Sequence, residues 1–293
     1  MKLLPTVDVS VVIPTLGGDS LCETINSLNN GLVIPAEILV CIPAEYLCKV
    51  NELPSNVKVL ICPIKGQVAQ RRYGFINATS NYVMQLDDDI HLGIDCLKKL
   101  HEIISDCDDN VAISPLLFNK KNKTIAYTGH KKLSVKNRIY YWLVNGSIGY
   151  QPGTVMLSGF ALGPVVEHVS SVNSNCISVN WLPGGCVMHR KNNLILDDYY
   201  PFQGKAYCED IIHSYLMKKK NIKLLIDPTA QCETEIFSML DEDFKSFYQN
   251  LKRDFRARRY AMNIEDRLNW RLYLNYLFLI ANYFFKRMKM RIS

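Results

Sequence analysis

GQVAQRRYGFINATSNYVMQLDDD, residues 66–89, compresses a helix, a turn and a strand into 24 positions and ends on three carboxylates. Residues 67–80 have the composition of a helix. YVMQL (82–86) is a short apolar run bounded by polar residues, the length and character of a buried strand. Asp87, Asp88 and Asp89 follow at once. Adjacent anions repel, so a partner must cancel their charge or water must hold it. The fold depends on whether this strand is one of several laid side by side.

Working outward, the same pattern recurs. VDVSVVIPT (7–15) is a β-branched run closed by Pro14, with Gly17-Gly18 as a turn and Ser20-x-x-Glu23 as a capping box for a helix to about Leu28. AEILVCIP (36–43) and VKVLICPI (57–64) are two further short apolar strands, and IDCLKKLHEIISD (94–106) is an amphipathic helix. Strand–helix alternation of this kind predicts an α/β domain with a largely parallel sheet. Ligands of such sheets bind beyond the C-terminal strand ends. Pro14-Thr15 and Asp87–Asp89 are both placed there, so one crevice is expected to hold them. Residues 111–180 show no clear period and are expected to form loops and short elements. From 181 the pattern sharpens again, with WLPGGCVMHRK, a helix in YCEDIIHSYLMKKK and a strand in NIKLLIDP.

At 293 residues, nearly half of them apolar, the chain has length for one large domain and an appendage. The run MKLLPTVDVS is broken by Pro5 and Asp8 and does not resemble a signal peptide. The ten cysteines contain no CxxC pair and are expected to be reduced thiols. Charge is uneven. From Leu251 onward 11 Lys/Arg face 3 Asp/Glu, a balance of +8, leaving 23 against 25, or −2, for residues 1–250. Any anionic partner is thereby directed to the tail.

Clustered carboxylates beside a crevice suit a hard divalent cation, Mg²⁺ or Mn²⁺, which takes one or two protein carboxylates and leaves other positions to phosphate and water. The triplet alone serves equally well as a solvated acidic turn before a helix near Gly93. A second acidic site, Glu209-Asp210 in YCED, opens a helix. Acids at a helix N-terminus complement its dipole by roughly 0.3–1 kcal/mol, and that bland role competes with a general base.

The combination of blocks resembles family 2 glycosyltransferases of the GT-A fold. VSVVIPT resembles the family's opening strand, and residues 66–89 its Arg-x-x-Gly helix and strand ending in an Asp-x-Asp motif. VNWLPGGCVMHRK resembles its Gly-Gly acceptor-side segment, and YCED its Glu-Asp motif. The four blocks stand in the family's order over about residues 8–235. The resemblance implies a GT-A (Rossmann-like) α/β fold, a mostly parallel central sheet flanked by helices. It also implies roles: Asp89, with Asp87, for the cation; Pro14, Thr15, Leu16, Arg71, Asp87 and Asp88 for the nucleotide-sugar; Asp210 as base with Glu209 beside it; and Trp181, Gly184 and Gly185 for the acceptor. Two departures stand out. No Asp follows the second strand, where only Glu45 is available, and DPTAQCETE (227–235) lacks the histidine often found there.

Lesser features take bland readings. Asn77-Ala78-Thr79 fits a glycosylation triplet by chance. His91, His130 and His213 lack metal-ligand spacing and are surface or packing residues.

In LNWRLYLNYLFLIANYFFKRMKMR (268–291), the nine Leu/Ile/Phe of 268–285 supply about −3 to −5 kcal/mol toward insertion, and the Arg within that span costs about +2.5 to +3.5 before three Asn are counted. A spanning helix is not favoured. At about 100° per residue, Arg267, Arg271, Asn275, Asn282, Lys286 and Lys289 form one polar stripe. That predicts an amphipathic helix at an anionic membrane surface, through 251–291, or a helix packed on the body or on a twin subunit with its stripe outward.

The expected organisation is a catalytic domain over 1–248 (nucleotide-sugar half 1–110, acceptor half 111–248) and a basic aromatic helical tail over 249–293. The expected protein is an inverting, metal-dependent hexosyltransferase, peripheral on the cytoplasmic face of a cell membrane. It would move sugar from a nucleoside-diphosphate-sugar to a glycan or lipid-linked glycan. A nucleotidyltransferase would need a Gly-rich loop where only Gly17-Gly18 stand. A nucleic-acid-binding module is opposed by the acidic balance of residues 1–250.

Overall fold

The computed structural model describes residues 4–49, 53–107, 110–127, 134–164, 176–236 and 238–292. His130 lies outside the described residues. In chain order the elements are β1 (Thr6–Pro14), α1 (Ser20–Asn29), β2 (Ile34–Pro43), β3 (Val57–Cys62), α2 (Gln67–Asn77), β4 (Tyr82–Leu86), β5 (His91–Leu92), α3 (Cys96–Asp106), β6 (Val111–Asn119), α4 (Val135–Asn145), β7 (Ile177–Val179), β8 (Cys186–Arg190), α5 (Glu209–Lys219), β9 (Lys223–Thr234), α6 (Phe244–Ile264) and α7 (Trp270–Ile292). The chain divides into two compact units, 1–126 with 166–235, and 127–165 with 236–293.

The first unit contains a nine-stranded sheet in the order β3-β2-β1-β4-β8-β6-β9-β5, with β7 pairing β9. β3, β2, β1 and β4 run parallel, as the alternating pattern predicts. Beyond β4 the sheet is mixed: β8 enters antiparallel between β4 and β6, and β6 pairs β9 in parallel. Each β1 side chain goes to the face its parity dictates. Val9, Val11 and Ile13 join Leu21, Ile25, Leu97 and Leu100 of α1 and α3, while Val12 joins Phe75 of α2. The sheet is thus buried on both faces, the usual condition of parallel strands. Gly74 explains how α2 comes so close. A Cβ there would stand 2.3 Å from Val12 Cγ1 and 2.7 Å from Cys41 Sγ.

Three sequence expectations are corrected here. α1 begins at Ser20 behind an Asp19 N-cap with no side-chain capping bond, so the Ser20–Glu23 box is not made. Glu23 instead pairs with Lys120 at 3.2 Å and His91 at 3.3 Å. Residues 111–119, expected to be irregular, form β6, whose register shifts between Pro115 and Leu116. Proline lacks the donor for a ladder bond, and the shift absorbs it. Residues 135–145, in the same stretch expected to hold loops and short elements, form the 11-residue α4, capped by Ser134, which accepts from the Asn137 amide, and closed by Gly146 at φ 79°.

In the second unit, α4 and the 154–162 turn pack with α6 and α7. Only the N-terminal part of the α7 polar stripe turns inward; Asn282 is exposed, Lys286 pairs with Asp241, and the Lys289 side chain lies outside the described residues. Arg271 donates to the Trp142 carbonyl at 2.9 Å and to that of Leu143, and Asn275 is buried, accepting from Tyr140 Oη at 2.7 Å. Arg267, just before the helix, donates to the Met156 carbonyl at 3.0 Å. The reason lies in the C-terminal end of α4, whose carbonyls attract cationic donors from α7, that of Trp142 in addition to the Gly146 amide it already accepts. The expected boundary near 248 falls inside α6. No helix of the described residues is long and apolar enough to cross a membrane.

Candidate active site

The end of β4 and the start of α5 supply the two acidic motifs, and a buried arginine joins them. Arg71, on α2, is 2% exposed. Its Nη1 donates to both carboxylate oxygens of Glu209, at 3.0 and 2.9 Å, and its Nη2 donates to Asp87 Oδ1 at 3.2 Å. Gln67, one helical turn earlier, donates to the same Oδ1 at 2.9 Å. Tyr199 Oη donates to Glu209 Oε2 at 3.1 Å. Burial alone would lower the Arg71 pKa, but Glu209 and Asp87 outweigh it and raise the value. Asp87 is pushed up to about 6 by burial first. Arg71 opposes the rise, and repulsion from Glu209 and Asp89 adds to it.

The Gly184-Gly185 pair sits between the two motifs, which explains why both positions lack side chains. A Cβ on Gly184 would fall 2.5 Å from Glu209 Oε1 and 3.2 Å from Asp210 Cβ. One on Gly185 would meet Ile90 Cδ1 at 2.5 Å and Asp87 Oδ2 at 3.4 Å. The pair is fixed by β4, since Gln85 Nε2 donates to the Gly184 carbonyl at 2.6 Å and the Asp87 amide to the Gly185 carbonyl at 2.8 Å. Asp210 is half-buried in the first turn of α5, its Oδ1 accepting from the Ile211 amide at 2.9 Å.

The three aspartates separate in role. Asp88 turns toward β1, where its carboxylate accepts from the Thr15 hydroxyl, while its carbonyl accepts from Thr24 at 3.0 Å. Burial raises its pKa, and the Thr15 bond opposes the rise. Asp89 is exposed, and Asp87 Oδ2 takes no hydrogen bond among the described residues. Among the described residues no three His, Cys, Asp or Glu side chains converge on a metal-sized point. Two carboxylates with open oxygens nevertheless fit a Mg²⁺- or Mn²⁺-type ion shared with substrate phosphate. When ionised, Asp87, Asp89 and Glu209 exceed Arg71 by two negative charges, the balance a divalent cation restores.

The nucleotide-side residues take distinct places. Thr15 is buried at the end of β1, and Leu16 is exposed. Glu45 is exposed after β2. Trp181 is buried before β8. Arg71, expected near a base or diphosphate, is enclosed by the two carboxylates.

Several supporting residues were not singled out from sequence. Gln70 Nε2 ties the Thr15 and Cys41 carbonyls, at 2.8 and 2.6 Å, holding the C-terminal ends of β1 and β2 together. Tyr199 stacks on His213 with ring centroids 5.7 Å apart, and His213 lies 5.5 Å from His189. His213 is therefore a packing residue. Burial, reinforced by Arg71, lowers its pKa to about 3. Tyr199 and Gln67 carry no sequence signal beyond their residue type. Gln70 and Gln67 do fall on one helical face, spaced i, i+3, with Arg71 next to it.

The sequence model described as Glycosyl transferase family 2 matches residues 10–161, just over half of the 293-residue chain. No curated protein sequence matches. Among solved structures, GalNAc-T7 with UDP, GalNAc and Mn²⁺ is similar at 17% identity and a TM-score of 0.54, over 78% of this chain and 43% of that one. TarS of S. aureus is similar at 16% identity and a TM-score of 0.45, over 85% of this chain and 39% of that one. The chain spans less than half the length of either protein. The likeness to GalNAc-T7 shows a shared GT-A-like fold, and the sequence match shows that the chain belongs to glycosyltransferase family 2.

Proposed function

We propose that this protein transfers a hexosyl unit, with inversion, from a nucleoside-diphosphate-sugar to a hydroxyl of a growing glycan, the acceptor being a lipid-carried bacterial surface polysaccharide of the lipopolysaccharide or capsule type. The observation that carries the reading is the Arg71 bridge. One buried guanidinium joins Asp87 of the first acidic motif to Glu209, the neighbour of Asp210 in the second. Attack at an anomeric carbon needs a base on one face and a stabilised diphosphate leaving from the other, and this bridge holds two acidic motifs of suitable chemistry together.

In this reading Asp210 takes the proton of the acceptor hydroxyl as its oxygen bonds to the anomeric carbon. The bond from that carbon to the diphosphate oxygen breaks, and its electron pair leaves with the nucleoside diphosphate. A single displacement of this kind inverts the centre and needs no covalent intermediate. Asp89 and Asp87 Oδ2 would hold Mn²⁺ or Mg²⁺. Such an ion, when bound, offsets charge developing on the leaving diphosphate. Glu209, held by Arg71 and packed against Gly184 beside Asp210, would orient the start of α5. Pro14, Thr15, Leu16 and Glu45 would border the nucleotide, and Gly184-Gly185, backed by Trp181, would border the acceptor.

Slow hydrolysis of donors tests the proposal without a known acceptor. Nucleoside diphosphate is expected to be released from one member of a panel of sugar nucleotides with Mn²⁺ and not with EDTA. Absence of both release and donor binding across the panel would contradict it.

A further inference from the structure

We propose that the exposed face of α7, with the adjoining face of α6, is a docking surface for an anionic lipid bilayer. With Arg271 and Asn275 engaged within the unit, α7 presents an apolar stripe on another face. Trp270, Tyr273, Leu277, Phe284 and Met288 are all exposed, Leu277 at 64%. At 100° per residue they fall within about 60° of one another. The stripe runs 18 residues, or about 27 Å at 1.5 Å per residue. Water gains nothing from such a surface, and a contiguous apolar stripe of this length marks an interaction site.

The chemistry beside the stripe identifies the occupant. Phe244 of α6 lies 6.3 Å from Phe284 and 6.4 Å from Tyr248, centroid to centroid, carrying the aromatic surface from α7 to α6. On α6, Tyr248, Lys252, Arg256 and Arg259 are exposed and lie within about 80° of one another. None of the three cations pairs with a carboxylate among the described residues. Aromatic and aliphatic side chains beside unpaired cations match the boundary between acyl chains and anionic head groups. A second copy of this chain fits less well. A two-fold contact through the same face brings Lys252, Arg256 and Arg259 of each copy toward those of the other, and like charges oppose it.

The stripe also differs from what the sequence alone indicates. Among the described side chains of α7, Arg271 and Arg287 donate to carbonyls of the same unit and Lys286 pairs with Asp241. The exposed cations of α6 thus supply lipid attraction and the apolar stripe of α7 insertion.

Flotation of the full chain with vesicles separates the outcomes. The chain is expected to float with phosphatidylcholine–phosphatidylserine vesicles, to remain behind with phosphatidylcholine alone, and to be released as salt rises. The triple substitution Lys252→Gln, Arg256→Gln, Arg259→Gln is expected to weaken partitioning about a hundredfold. Leu277→Ser with Phe284→Ser is expected to abolish flotation while the unfolding midpoint stays near wild type, because both side chains are exposed. Equal behaviour with neutral and anionic vesicles would overturn the proposal. So would a stable dimer in sedimentation that Leu277→Ser dissociates and that does not bind vesicles. If the serine variant fails to fold, the charge variant alone decides, since its substitutions are all on the solvent side of α6.

Discussion

Arg71 and Glu209 are 138 positions apart in the chain, yet two hydrogen bonds of 2.9 and 3.0 Å join them in the protein interior. A buried charge pair of this kind contributes little against a well-packed apolar substitute, but breaking it by removing one partner is costly. Its value is geometric, because it fixes the start of α5 against the end of β4. Glu209→Gln is expected to lower unfolding stability by about 3 kcal/mol, since the remaining guanidinium keeps Asp87 but loses its main counter-charge. Turnover is expected to fall about 100-fold through misplacement of Asp210. Thermal unfolding and donor hydrolysis on the same preparation check both. Unchanged turnover would mean that the bridge does not position the base.

The glycine pair gives a sharper separation of activity from stability. Gly184→Ala puts a methyl 2.5 Å from Glu209 Oε1, in a space where the carboxylate cannot retreat without leaving Arg71. Overpacking costs typically about 1–3 kcal/mol. Catalysis is expected to fall about 100-fold, more than so modest a stability loss would suggest. Far-UV circular dichroism with turnover measurement distinguishes this from global unfolding.

The aspartates are expected to rank by their partners. Asp87→Asn and Asp89→Asn should each abolish the difference between Mn²⁺ and EDTA in donor hydrolysis. Asp88→Asn should retain it, because the Asp88 side chain is turned to Thr15 and away from the open oxygens. Titration of activity with Mn²⁺ for the three variants provides the check, and an Asp88 variant as cation-blind as the other two would contradict the assignment.

A pH test probes the sheet itself. Glu37 on β2 is buried, which by itself would raise its pKa. Hydrogen bonds from Lys58 at 2.8 Å, and from the Thr79 and Ser10 hydroxyls at 2.7 Å each, instead hold it down at about 2. A carboxylate lowered on folding stabilises fully above its ordinary value of 4.5. That contribution is lost as pH falls from there toward about 2. Glu37→Gln is expected to cost about 2 kcal/mol at neutral pH. The gap from wild type should close progressively below pH 4.5 in denaturant unfolding. A gap independent of pH would show that the stabilisation is not ionic.

The sequence displayed strands where apolar runs were short and bounded. β4 spans Tyr82–Leu86 as expected, and the glycine of Arg-x-x-Gly lies where α2 presses on Val12 and Cys41. β6 escaped because Pro115 interrupts its run, a break that a register shift accommodates. α4 carried its cap signals, Ser134 and Gly146, but its aromatic residues obscured the helical period. The two acidic motifs were legible as motifs. Their coupling was not, since nothing in local sequence announces that Arg71 reaches Glu209 or that Tyr199 joins them. The face of α7 was misjudged for a related reason. Periodicity shows that a helix has a polar stripe, but which residues turn inward depends on whether a partner, here the carbonyl end of α4, attracts their donors.

The most direct test of the account is Asp210→Asn, measured at saturating donor with Mn²⁺. Substitution of a general base is expected to lower nucleoside-diphosphate release by about 10²–10⁴-fold. Donor affinity should stay within a few-fold, because the proposal assigns the cation and diphosphate to Asp87 and Asp89 and not to Asp210. Release at the wild-type rate would contradict the assignment of Asp210 as the base and, with it, the account of the site.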